Sequence, residues 1–159
     1  MLSAVAAFIL IKSSKRTALR KATLDLILRA ESDNDYLGAR RAFREMINAG
    51  EDFGALGRQK APDADKSGAL RILLNFNELI AISIREGAID VRVYRRWLNA
   101  AYIKDYDLLR SFITNLRNKE GNQRIYCEFA QMAEQWRNDP WPKPPGFFKR
   151  VMIQLGRID

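Results

Sequence analysis

Leu70–Glu86, LRILLNFNELIAISIRE, carries apolar residues on almost every side if it is wound as a helix. Arg71, Asn75, Glu78 and Arg85, at steps of 4, 3 and 7, form the one narrow polar stripe. A helix apolar over most of its circumference is normally buried among other helices. The stretch therefore predicts an all-α, single-domain bundle of five to six helices around a central buried helix at about 68–86, with a proline-rich C-terminal strap. Asn77 departs from the stripe and should sit among apolar neighbours. An unpaired buried amide costs a few kcal/mol, so Asn77 is expected to bond across to another helix. Asn75 and Glu78 are expected to pair with Arg95 or Arg96 of the next helix, making a buried polar network of Asn75, Asn77, Glu78, Arg95 and Arg96.

The flanking sequence supplies the surrounding helices. Thr17–Ala30 places Leu19, Thr23, Leu26, Ile27 and Ala30 on one face. Ser32-Asp33-Asn34-Asp35 offers N-caps for a helix over Asp35–Ala49, which Gly50 stops. Glu51–Gly68 has no sustained period, with Phe53 and Leu56 placed to anchor a short helical turn. Its glycines match no phosphate-binding pattern, and Asp63 and Asp65 lack the other ligands of a calcium loop. Beyond Gly87, Asp90 caps Val91–Asp107. Asp105 or Asp107 restarts a helix through Leu116, Gly121 stops it, and Asn122 caps Gln123–Asn138. Asp139–Gly146, DPWPKPPG, has four prolines in eight residues, which preclude a helix and favour an extended strap. Phe147–Leu155 is a short amphipathic tail. The chain thus divides into 1–16, an apolar stretch with a basic flank; 17–138, the bundle; and 139–159, strap and tail.

Composition narrows the chemistry. The 159 residues include 27 Lys and Arg against 19 Asp and Glu, a formal charge of +8, which favours an anionic partner or surface. There is one cysteine and no histidine. An intramolecular disulfide is impossible, the usual zinc sites lack ligands, and the commonest general base is missing. Cys127 has no nearby base and reads as passive. No cofactor, metal or catalytic residue is indicated. Glu78 is the one carboxylate that burial would make suspect in an enzyme reading.

Met1–Ile11, MLSAVAAFILI, is almost wholly apolar, and Lys12, Lys15, Arg16, Arg20 and Lys21 follow it. At 1.5 Å per residue the run covers roughly half of a hydrocarbon core that needs about 20 residues. The basic residues follow the apolar run, the reverse of a secretory signal. Two readings stand: part of a longer transmembrane helix, or a short helix packing on protein. Under the first, the positive-inside tendency puts the domain in the cytoplasm, at the inner face of the membrane. Arg40, Arg41, Arg44 and Arg92 are candidate anion-binding residues. With Arg95 and Arg96 they support an alternative of nucleic-acid binding, although the aromatics beside them fall on a core stripe.

The blocks TLDLILRAESDNDYLGARRAF (Thr23–Phe43), INAGEDF (Ile47–Phe53), NFNELIAISIREGAIDVRVYRRW (Asn75–Trp97) and YIKDYD (Tyr102–Asp107) resemble a bacterial and phage family of proteins of unknown function. The resemblance covers roughly Ala18–Trp136. It implies an N-terminal transmembrane segment and a cytoplasmic helical domain, and it transfers no catalytic residues. The leading expectation is a non-enzymatic, membrane-proximal protein-interaction module with an anionic membrane surface as partner. The apolar segments at both ends, Met1–Ile11 and Phe147–Leu155, add the expectation of a homo-oligomer, most simply a two-fold dimer.

Overall fold

The computed structural model describes residues 2–58, 64–139 and 141. They form six helices: α1 (Leu2–Ala30), α2 (Asn34–Asn48), α3 (Phe53–Arg58), α4 (Ala64–Arg85), α5 (Val91–Glu120) and α6 (Cys127–Asn138). There is no strand among these residues. Most of the strap and all of the Phe147–Leu155 tail lie outside the described residues.

Local chemistry sets most boundaries. Asp33 caps α2 by accepting from the Tyr36 N–H at 2.8 Å, and Asp90 caps α5 by accepting from Arg92 and Val93. Gly50, Gly87 and Gly121 follow their helices at φ of 70°, 66° and 62°, left-handed values that glycine adopts without a Cβ clash. The expected break at Asp105–Asp107 is absent, and α5 runs unbroken to Glu120. No proline or glycine interrupts it, and both carboxylates are engaged elsewhere, Asp105 with Arg40 and Asp107 with Arg137.

Helix α4 lies between α2 and α6, while α5 packs on α3, α6 and α1. Leu70, Leu73, Leu74, Ile80 and Ala81 of α4 are at most 1% exposed, so α4 is the core helix that its composition predicts. It is not enclosed on every side, however. Ile72, Leu79 and Ile82 leave an exposed apolar face, with Leu79 55% exposed. Its neighbours α2 and α6 cover the rest of its surface and leave this face open. On the other side of the core, Tyr94, Tyr102, Phe129 and Trp136 interlock, Tyr102 meeting Phe129 edge-on at 4.8 Å. Helix α3 lies so close on α5 that a Cβ at Gly57 would come within 2.8 Å of the Phe112 carbonyl oxygen.

The chain direction gives the bundle two ends. Tyr36 of α2 meets Phe76 of α4, and Met46 and Ala49 lie with Asp65 and Lys66, so α2 runs antiparallel to α4. Asp139, just past α6, reaches Arg95 near the start of α5. One end therefore gathers the end of α4, the start of α5 and the end of α6. The start of α4, the end of α2 and α3 lie at the other.

Candidate functional site

Helix α1 changes character along its axis. Its last third belongs to the bundle: Thr23 is buried, donates its hydroxyl to the Leu19 carbonyl and accepts the Asp90 N–H, both at 2.7 Å. Ala30 is buried with Tyr36 and Phe76 nearby. Arg20 lies 3.7 Å from Asp90. Before Leu19 the helix leaves the domain, and Phe8, Leu10 and Ile11 are 67%, 69% and 68% exposed. Lys12, Lys15, Arg16, Arg20 and Lys21 are all exposed. At 100° per residue Lys12, Lys15, Arg16 and Arg20 share one face of the helix and Lys21 lies away from it. The apolar and basic residues are segregated along the axis, an arrangement suited to a helix that enters a bilayer end-on. A helix lying flat in the interface needs an apolar face along its length.

The polar stripe of α4 is a seam for α6. The N–H groups of Glu128 and Phe129 donate to Glu78 Oε1 and Oε2 at 3.2 and 2.7 Å. Tyr126 Oη donates to Asn75 Oδ1 at 3.2 Å, and Arg85 donates to Glu128 and Gln131 at 3.0 and 2.8 Å. This corrects the expected start of α6. Asn122 accepts the Arg124 N–H within a turn, the helix begins at Cys127, and Tyr126 stands before it at φ 54° with no side-chain cap of its own. Glu78 supplies the missing cap from another helix, satisfying amides that would otherwise lack partners.

The expected network is therefore divided. Asn75 and Glu78 bind α6, while Asn77 is buried and accepts the Tyr102 hydroxyl through its main-chain oxygen at 3.1 Å. Neither Arg95 nor Arg96 joins them. Arg95 is buried, bonds Asn99 Oδ1 and Asp139 Oδ2 at 3.0 Å each, and stacks on Trp136 and Trp141, 5.2 and 5.3 Å from the ring centroids. Arg96 is exposed.

The candidate anion-binding arginines do not form one surface. Arg40 turns inward to Asp105, a half-buried ion pair between α2 and α5. Burial holds the Asp105 carboxyl above the usual carboxylate range even though Arg40 acts to lower it. Arg41 and Arg44 are exposed on α2, whose C-terminal turns lie at the start of α4; Arg92 and Arg96 are exposed at its opposite end. Sequence reading missed Asp105 as the partner of Arg40 and Asp139 as that of Arg95. Both contacts span more than 40 positions, and no local period marks them.

Tyr94 Oη is fully buried with no hydrogen-bond partner among the described residues, and burial raises its ionisation well above the ordinary tyrosine range. Among the described residues no three acidic, cysteine or histidine side chains gather as a metal site. A groove of about 510 Å³ adjoins Glu78, lined also by Arg71, Asn75, Glu120 and Asn122, but both Glu78 oxygens are occupied by main-chain amides.

Residues 1–136 match the family described as a domain of unknown function, DUF4760. The chain belongs to this family. The match takes in the projecting half of α1 as well as the bundle, through the Glu78-capped α6 as far as Trp136. No curated protein and no solved structure gives a significant match.

Proposed function

We propose that this chain is a non-enzymatic interaction module held at the cytoplasmic face of a membrane by α1. The observation that carries this reading is the projecting half of α1, where exposed Phe8, Leu10 and Ile11 are followed within about three turns by five exposed cations. A helix of this kind has an apolar end for the hydrocarbon and a basic collar for anionic headgroups. Juxtamembrane Lys and Arg contribute about 1 kcal/mol each near an anionic leaflet, enough to reinforce a short apolar insertion. The resemblance to bacterial and phage proteins with an N-terminal membrane segment supports the same placement.

The test is flotation with anionic liposomes, comparing the full chain with one that begins at Thr17. The full chain should float and the shortened one should not; equal failure of both removes the membrane reading. The same uncovered surface supports self-association, most simply a two-fold dimer, since contiguous exposed apolar surface usually marks an interface. Light scattering on both chains should show a dimer for the full chain. A monomer mass of about 18 kDa across a wide concentration range rejects the dimer.

Nucleic-acid binding is the weaker alternative. It has Arg41, Arg44, Arg92 and Arg96 to use, but these lie toward opposite ends of the bundle, and Arg40 and Arg95 are engaged internally. Such binding must weaken steeply with salt. Absence of any mobility shift with DNA or RNA at low salt discards it.

A further inference from the structure

The end of the bundle from which α1 departs carries a second group of exposed cations. The hydrogen bond from the Asp90 N–H to Thr23 fixes α1 beside the first turn of α5, where Arg92 and Arg96 are exposed. Between them in sequence, Arg95 is buried against Trp136 and Trp141 and tied to Asp139. The two outer arginines thus flank a buried, paired arginine that packs the start of α5 against the end of α6. A groove of about 630 Å³ runs past Arg96, Trp97 and Trp141. The acids nearby are largely engaged: Asp90 caps α5 and lies near Arg20, and Asp139 pairs with Arg95. Glu86 and Asp25, also exposed here, subtract two charges.

We infer that this end is a lipid-facing surface, with Arg92 and Arg96 acting as a second tier of cations toward the phosphates of an anionic leaflet, beyond the collar on α1. The inference rests on the membrane-proximal reading above. Its geometry follows from helix rise. If the hydrocarbon boundary lies at Ile11, the level of Thr23 is roughly 18 Å beyond it along α1. The headgroup layer occupies about 6 Å of that distance, and an extended arginine side chain spans a similar length. The remaining gap is under one Debye length at physiological salt, roughly 8 Å, and any tilt of α1 reduces it on one side. Arg92, in the first turn of α5, is therefore close enough to feel the leaflet, and Arg96, about 6 Å further along the helix, feels it more weakly. Arg41 and Arg44, set back toward the start of α4, are screened from it.

The experiment uses the full chain and vesicles of phosphatidylcholine alone or with a third of the lipid as phosphatidylglycerol, at low and moderate salt. Four proteins are compared: wild type, R92Q/R96Q, R92K/R96K and R41Q/R44Q, each checked for an unchanged thermal melt. R92Q/R96Q should partition onto the anionic vesicles roughly three- to tenfold less than wild type, about 0.3 to 0.7 kcal/mol per cation, a screened part of what a cation at the surface contributes. R92K/R96K should bind as wild type, because the attraction needs charge and not guanidinium geometry. R41Q/R44Q removes the same charge from the opposite side and should change partitioning less than twofold. On phosphatidylcholine alone all four should be equal. Equal losses for R92Q/R96Q and R41Q/R44Q, or no loss for either, overturn the lipid-facing end and leave the membrane reading standing. Failure of the wild type to float with either vesicle overturns both.

Discussion

The first turns of α1 and the whole of α4 are the two most apolar parts of the described chain, and the fold treats them oppositely. Helix α4 is long and apolar enough in composition to cross a membrane, yet it forms the core of the bundle, with Leu70 and Leu74 fully buried. In the shorter apolar run of α1, Phe8, Leu10 and Ile11 face outward. Hydrophobicity drives apolar surface out of water without specifying what covers it. Helix α4 has α2 and α6 against it and a polar stripe that engages α6. Helix α1 meets the bundle near its C-terminal end, through Thr23, Leu26 and Ala30.

That contrast breaks most visibly by truncation in the core. Leu73→Ala should destabilise the bundle by about 2 to 5 kcal/mol, read as a lowered midpoint in denaturant with little change in slope. A loss below about 1 kcal/mol would mean that α4 is not the core helix.

Polar contacts sharpen the comparison at intermediate size. Arg40→Met leaves Asp105 buried without its partner and should cost roughly 2 to 3 kcal/mol at neutral pH. The pH dependence has a definite sign. Burial raises the folded-state ionisation of Asp105 above its ordinary value. The folded protein therefore holds that proton more tightly than the unfolded chain. The associated stability is fully present below the unfolded value of 3.8 and is lost as pH rises through the folded value. In Arg40→Met the folded value rises further, so acidifying from neutral should recover part of the lost stability in this variant relative to wild type. Denaturation curves at several pH values test this, and a variant whose deficit is constant with pH contradicts the buried-carboxylate account.

The smallest effect on folding belongs to α1. Phe8→Ser with Leu10→Ser should change the unfolding midpoint by less than about 0.5 kcal/mol equivalent, as expected at exposed positions, while reducing flotation with liposomes. A large fall in stability would show that the apolar run packs on the bundle after all.

Much of the fold was legible because its signals are local. The apolar period of Leu70–Glu86, the cap at Asp90 and the glycines at 50, 87 and 121 each act within a few residues and appear where sequence placed them, while of the caps offered by Ser32–Asp35 the structure uses Asp33 and starts α2 at Asn34. The misplacements come from aspartate and asparagine, whose capping role depends on what else they can bind. Asp105 and Asp107 look like a helix start in sequence, but arginines on other helices engage both and α5 continues. Asn122 looks like the cap of α6, whereas the groups that serve that helix are on α4.

Sequence by itself determined the helical class, the core helix, the axial order of apolar and basic residues in α1 and the absence of histidine chemistry. These follow from periodicity and composition, which need no knowledge of neighbours. Only the tertiary structure decided that Glu78 caps α6, that Arg40 and Arg95 turn inward while Arg92 and Arg96 stay outside, and that α4 keeps one apolar face open. Each depends on which helices meet and in what direction. A side chain's partner more than 40 residues away is chosen by that packing, through burial and hydrogen-bond geometry, and leaves no period in the chain.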